Sequence, residues 1–184
     1  SLQGGQQEGS FYWKEFYQGE APAMSEDCLY LNVWKPAKAK RGDKLPVMVW
    51  IHGGAYQNGY GYEVEFDGTA FARRDVILVT VNYRLGMCGF LAHPLLSAES
   101  QGQGSGNYGL LDQVEALRWV HRNIEVFGGD ASNVTLFGQS AGAGSVQALL
   151  SSELTQGLVH RAIIQSGGGL SGIISAKSQA DAES

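Results

Sequence analysis

The chain has two cysteines in 184 residues, no long run of one charge and no apolar stretch as long as a membrane span. Two cysteines, Cys28 and Cys88, permit at most one internal bridge, which excludes a disulfide scaffold; buried free thiols are the expectation. A net charge of −5, with basic residues gathered only at Lys38/Lys40/Arg41 and Arg73/Arg74, excludes a nucleic-acid surface. Those short groups read as solvated turns. Without a span-length apolar run, no membrane span is expected. The start, Ser1-Leu2-Gln3-Gly4-Gly5, carries neither a methionine nor a charged-then-apolar signal pattern, so the chain is expected to begin within a longer protein. No internal repeat or domain linker is visible.

What is present is a core. Hydrophobic residues make up 43% of the chain and charged residues 17%, the balance of a soluble globular protein with one sizeable interior. An aromatic cluster, Phe11-Tyr12-Trp13 with Phe16-Tyr17, reads as packing surface. Leu31 and Val33 alternate with Asn32 and Trp34, a period of two that fits a half-covered strand over 29–34. The runs at 47–51 and 76–81 are apolar on both faces, which is the mark of strands in a parallel sheet buried between helical layers. Between them, 68–74 supplies a short helix or turn, and 97–107 is polar and flexible in composition. Leu110, Val114, Leu117 and Ile124 recur at helical spacing, predicting a helix over about 110–125 closed by Gly128-Gly129. A further buried strand is expected at 162–165. Strands alternating with helices give a doubly wound α/β fold.

The most informative stretch is Val134-Thr135-Leu136-Phe137-Gly138-Gln139-Ser140-Ala141-Gly142, an apolar run entering a Gly-x-Ser-x-Gly turn and leaving into a small-residue helix. It reads as a nucleophile elbow, with Ser140 at a strained apex above the sheet. The backbone N–H of Ala141, at the helix start, then points at the same spot and can bind a developing negative oxygen. A lone Gly-x-Ser-x-Gly also arises by chance in a chain with 26 glycines, and as an ordinary strand-to-helix turn. The predicted strand, turn and helix favour the elbow. A second loop, His52-Gly53-Gly54-Ala55-Tyr56, follows the 47–51 strand, at the end where open α/β sheets place their ligands. Beside the elbow, its Gly54 and Ala55 N–H groups would join Ala141 as three oxyanion donors, each lowering the barrier by roughly 3 kcal/mol in a dry site. His52 reads as a side chain that orients the loop, because α/β-hydrolases run in the order serine, acid, histidine.

Asp112, at a helix start, and Asp130, in a turn, read as structural carboxylates, Asp112 being favoured there by the helix dipole. Glu26, Asp27 and Arg84 read as an ion-pair or loop-anchoring set whose pairing the sequence does not show. The sequon Asn133-Val134-Thr135 falls at the mouth of a predicted buried strand and is discounted as a glycosylation site.

Four stretches together carry a family resemblance: Glu26-Asp27-Cys28-Leu29-Tyr30-Leu31-Asn32-Val33-Trp34-Lys35-Pro36, His52-Gly53-Gly54-Ala55, Asn107-Tyr108-Gly109-Leu110-Leu111-Asp112-Gln113, and Phe127-Gly128-Gly129-Asp130 with Gly138-Gln139-Ser140-Ala141-Gly142. In type, order and spacing the chain resembles the type-B carboxylesterases, the cholinesterase-like branch of the α/β-hydrolases. The resemblance implies residues 1–184 as the amino-terminal part of a single α/β-hydrolase domain, its carboxyl-terminal half absent. It implies a serine esterase acting through an acyl-enzyme, with Ser140 as nucleophile, Gly54, Ala55 and Ala141 as the oxyanion hole, no cofactor and no metal. The family's acid and histidine lie far downstream of its serine and are not found here; His160 follows too closely to be that base. This piece alone is therefore expected to be inactive.

Three departures bear on the substrate. Gln139 stands where many relatives have a glutamate, and Trp13 is the nearest indole to the region where cholinesterases carry a choline-stacking tryptophan. Choline esters are therefore not expected. No cysteine precedes Cys28, whose counterpart is bridged in secreted relatives. Either the compartment is reducing, with cytoplasm slightly favoured, or the partner lies in a missing start. The expected partner is a small-molecule carboxylic ester, with no nucleic acid and no membrane span. A non-catalytic adhesion protein on the same fold, and an acyltransferase using the same elbow, remain as alternatives.

Overall fold

A computed structural model describes residues 9, 14, 24–100, 104–169 and 178–183. The aromatic cluster at 11–17 lies outside them, apart from Lys14. In chain order the elements are β1 (Leu31–Trp34), β2 (Leu45–Ile51), α1 (Thr69–Ala72), β3 (Ile77–Val81), α2 (Gly86–Phe90), α3 (Pro94–Glu99), α4 (Tyr108–Asn123), β4 (Gly129–Gln139), α5 (Ala141–Leu150), β5 (Arg161–Gln165) and α6 (Gln179–Ala182). Single 3-10 turns occur at Val64–Phe66, Ile124–Phe127 and Glu153–Thr155.

The strands form one sheet in the order β1-β3-β2-β4-β5. β3, β2, β4 and β5 run parallel, and only β1 is antiparallel, at the edge beside β3. β3 is buried along all five residues, as a run without polar alternation requires. In β2 the alternation decides which layer each residue meets. Val47, Val49 and Ile51 face one way and join Val114, Leu117, Val120, Val146 and Leu149, so α4 and α5 cover that side. Trp50 faces the other way, 5.0 Å from Phe66 and 4.8 Å from Phe137 between ring centroids. The segment from the 64–66 turn to α1 covers that second face, Phe71 also reaching Phe137. Two covered faces are what a doubly wound sheet demands.

α4 starts two residues earlier than its apolar spacing suggests and tightens into the 124–127 turn, which ends at Gly128 with φ 92°. β4 begins at Gly129, directly after it. Three expectations need correction. The 162–165 strand exists but is exposed along all of Arg161–Gln165, because only β4 flanks it among the described residues. Cys28 is buried, but Cys88 is exposed on the short α2; both thiols are free. Asp112, read as serving the helix dipole, instead takes a bidentate pair from Arg84, at 2.8 Å from Nε and 2.7 Å from Nη2, and accepts the Arg84 backbone N–H at 2.9 Å. That pair pins the segment after β3 to α4 and raises the Arg84 pKa, chiefly through the hydrogen bond to Asp112. Asp27 receives the Tyr30 hydroxyl at 2.8 Å, so it belongs to a different contact from Arg84.

Candidate active site

β2 and β4 are parallel neighbours, in register from Val47 opposite Val134 to Ile51 opposite Gly138, so the turns that follow them emerge at one end of the sheet. After β4 the chain passes through Ser140 at φ 54° and ψ −121° and becomes helical at Ala141. An L-residue in that left-handed region is strained by about 1–3 kcal/mol and persists only where its surroundings over-determine it. Here they do. The Ser140 N–H donates to the Gln165 carbonyl at the end of β5 at 2.9 Å, and its own carbonyl accepts from the Gly144 N–H at 3.1 Å. At Gly142 a Cβ would lie 2.1 Å from the Ile51 carbonyl oxygen, so the first turn of α5 rests directly on the end of β2. Ser140 itself is half-buried beside an exposed Gln139.

The turn after β2 takes three left-handed residues in succession, Gly54 (φ 102°), Ala55 (φ 55°) and Tyr56 (φ 60°). The Gly54 carbonyl accepts the N–H groups of Gln57 at 2.9 Å and Asn58 at 3.1 Å. A Cβ on Gly53 would stand 3.3 Å from the Ser140 Cβ and 2.9 Å from the Gln139 carbonyl oxygen, so the two turns touch. Gly54, Ala55, Ser140 and Ala141 thus gather at one end of the sheet.

His52 sits below this turn rather than in it. It is 1% exposed, stacked on Tyr83 with ring centroids 4.4 Å apart, and its Nδ1 lies 2.8 Å from the Gly53 carbonyl oxygen. That bond calls for the Nδ1–H tautomer, and the Tyr83 hydroxyl donates to the His52 carbonyl at 2.8 Å. Burial pulls the His52 pKa down to about 4, against the smaller opposing effect of the Gly53 carbonyl. Burial pushes the Tyr83 hydroxyl upward, and both groups are neutral at ordinary pH. His52 therefore serves as a neutral brace. His160 accepts the Val134 N–H at 3.2 Å just before β5, at the opposite end of the parallel strands from Ser140. Asp130, likewise at the far end of β4, accepts the Ser132 N–H and hydroxyl.

Between the two turns lies a hollow of about 260 Å3, lined by Trp50, Gly53, Gly54, Asn58, Glu63 and Gln139 among others. Glu63 was not legible as a site residue. It is 4% exposed, and burial first, then the neighbouring Glu65 charge, raises its pKa to about 8. Its only sequence signal is an acid within a glycine-rich loop close to Gly54 and Ala55, and nothing in the sequence marks it as buried. A second hollow, about 310 Å3, is lined by Asp27, Cys28, Tyr30 and Asn82 among others, and none of the elbow residues lines it. Among the described residues no group of three or more His, Cys, Asp or Glu could hold a metal ion, and no helix is long and apolar enough to cross a membrane.

Residues 3–183 match the model of the carboxylesterase family. The chain is 51% identical over 148 residues to a fumonisin B1 esterase of Sphingopyxis macrogoltabida, covering 80% of this chain and 27% of that protein. It is 52% identical over 149 residues to the para-nitrobenzyl esterase of Bacillus subtilis, covering 80% of this chain and 29% of that protein. Among solved structures, a carboxylesterase of Geobacillus stearothermophilus superposes with a TM-score of 0.74 at 54% identity, over 80% of this chain and 30% of the other. The chain thus spans between a quarter and a third of the length of these relatives. Its mixed, mostly parallel sheet is the corresponding part of their α/β-hydrolase fold, and the chain belongs to the type-B carboxylesterase family.

Proposed function

We propose that this chain is the amino-terminal part, over 1–184, of a single serine esterase domain, and that Ser140 attacks the carbonyl carbon of a carboxylic ester. The observation that carries this reading is the contact between a strained serine and the 53–55 turn, 3.3 Å from a Cβ placed on Gly53. The names of the relatives, esterases of fumonisin B1 and of para-nitrobenzyl esters, support the substrate class. As the tetrahedral intermediate forms, the N–H groups of Gly54, Ala55 and Ala141 receive its oxyanion. The intermediate collapses with loss of the alcohol, and water then releases the acid from the acyl-enzyme.

The base that takes the Ser140 proton, and the acid that orients it, are supplied by residues beyond this chain. His52 is braced under the turn, and His160 stands at the wrong end of the sheet. The 184-residue chain alone is accordingly expected to turn over no ester beyond what an oxyanion hole without a base can support.

A fluorophosphonate tests the reading in the longer polypeptide that carries this chain, since an activated serine displaces its leaving group quickly and an ordinary one does not. One label per chain, located on Ser140 and lost in Ser140→Ala, is the expected result. Labelling that survives Ser140→Ala, or no labelling of the unaltered protein, overturns it.

A further inference from the structure

Glu63 occupies a position the reaction as described does not use. It is buried in the wall of the hollow beside Gly53, Gly54 and Gln139, and its Oε1 accepts the Tyr60 backbone N–H at 3.2 Å. The Glu65 carboxylate lies close enough on the same turn for its charge to act on Glu63. Tyr60 continues directly from Gly59, whose backbone packs so tightly that a Cβ there would lie 2.6 Å from His52 Nδ1 and 3.0 Å from the Gly53 carbonyl oxygen. One residue earlier, the Asn58 N–H closes the turn on the Gly54 carbonyl. A short, stiff path of backbone therefore runs from the Glu63 carboxyl to the peptide groups of Gly54 and Ala55. The far side of the loop is tied separately, by the Gly61 N–H donating to Asn82 Oδ1 at 2.7 Å.

We propose that Glu63 is a positioning residue for the oxyanion turn, its buried carboxyl accepting the Tyr60 N–H as a neutral carboxylic acid and so holding the 58–60 segment under that turn. The proposal rests on the esterase reading for its effect on rate, though not for its structural content. Burial first, and then the neighbouring Glu65 charge, favour the neutral form of Glu63, against the smaller opposing effect of the Tyr60 N–H. Around Glu63 the titratable groups are Glu65 on its own turn and Tyr83 after β3, with His52 stacked on Tyr83 and Tyr56 acting on Tyr83. None of these is a cation at neutral pH, so nothing among them favours the ionised form. Loss of the proton, near pH 8, places a second negative charge in the wall and pushes the 59–65 segment off the turn it supports. Displaced donors stabilise the oxyanion poorly, and a misplacement of ~1 Å can cost ~100-fold in rate.

The isostere of a protonated glutamic acid is glutamine, whose oxygen still accepts from Tyr60 and which carries no charge at any pH. The test is the pH profile of kcat and KM for p-nitrophenyl acetate in the longer polypeptide carrying this chain. The unaltered protein should lose kcat as pH rises through about 8. Glu63→Gln should keep the neutral-pH rate within a few-fold and lose that alkaline limb, whereas Glu63→Ala should drop kcat by ~10- to 100-fold with little change in KM. An alkaline limb that persists unchanged in Glu63→Gln, or full activity in Glu63→Ala, overturns the proposal.

Infrared difference spectra separate this proposal from the esterase reading. The carbonyl stretch of a buried protonated carboxyl should be present at neutral pH, vanish above about pH 8 and be missing in Glu63→Gln, whether or not the protein hydrolyses esters. Its absence from the unaltered protein at neutral pH overturns the proposal. Failure of fluorophosphonate to label Ser140, with that band present, counts against the esterase reading alone. Should Glu63→Ala fail to fold, the Glu63→Gln profile and its missing band still decide the matter.

Discussion

The turns after β2 and β4 leave neighbouring strands at the same end of the sheet and both run through left-handed backbone, yet they are held by different means. At the elbow the restraint is steric and main-chain: the Ser140 N–H is bonded to the Gln165 carbonyl, and the helix behind it rests on the Ile51 carbonyl with no room for a side chain at Gly142. At the 52–61 loop the restraint is polar and comes from side chains: His52 on the Gly53 carbonyl, Glu63 on the Tyr60 N–H, Asn82 on the Gly61 N–H. A steric restraint is indifferent to pH, and a restraint made of titratable side chains is not. Ser140 is thus fixed by main chain and packing, and the 53–55 turn by groups whose charge can change.

Three effects press on this contrast. The largest effect is expected for Gly54→Ala against Gly142→Ala. At Gly54 a Cβ meets the Asn58 carbonyl oxygen at 2.1 Å and the backbone is left-handed at φ 102°, so strain adds to overlap, for about 4 kcal/mol of lost stability. At Gly142 the backbone is helical and only the overlap with the Ile51 and His52 carbonyl oxygens acts, for about 2–3 kcal/mol. Denaturant unfolding of the two variants measures the order, and equal losses would break the distinction drawn between the turns.

The second effect concerns pH. His52 is held neutral with its pKa lowered to about 4, so between about 6.5 and 4 the unfolded chain binds more protons than the native one, and stability is lost as pH falls. Glu63 runs the other way: raised from 4.5 to about 8, it binds more protons in the native state across that interval, and stability is lost as pH rises. The two slopes oppose each other from about 4.5 to 6.5, so the unaltered chain should show little dependence there. Glu63→Gln should uncover the His52 limb, about 3 kcal/mol lost on acidification from pH 6.5 to 4. Urea unfolding at a series of pH values reads this directly, and a flat profile in Glu63→Gln would refute the polar half of the comparison.

The smallest effect is a gain. Ser140→Gly relieves the left-handed strain but loosens the unfolded chain, for a net stabilisation of about 1 kcal/mol, while removing the hydroxyl proposed as nucleophile. Thermal unfolding should show a rise in Tm; a fall would mean that the serine side chain supports the turn it sits on.

Much of this was readable before any coordinates. The apolar runs at 47–51 and 76–81 announce buried parallel strands because, Thr80 apart, no polar residue is available to face water. The spacing of Gly138, Ser140 and Gly142 announces a sharp turn because each position has one steric requirement. What escaped the sequence are properties that belong to neighbours rather than to residues. Ala162-Ile163-Ile164 has the composition of a buried strand, yet burial depends on what flanks it, and only β4 does so among the described residues. Asp112 has the position of a helix-dipole acid, but its partner Arg84 is 28 residues away in sequence and is brought there by the turn after β3. Glu63 resembles any surface glutamate until the loop folds over it.

The exposed β5 has a practical side. Its outer edge offers a row of backbone donors and acceptors without a partner strand among the described residues, and its Ile163 and Ile164 side chains are 44% and 43% exposed. Edges of that kind recruit strands from other molecules, and no proline or inward-pointing charge interrupts this one. Preparations of the 184-residue chain should therefore aggregate in a concentration-dependent way through this strand, and Ile164→Lys is the simplest means of keeping them monodisperse.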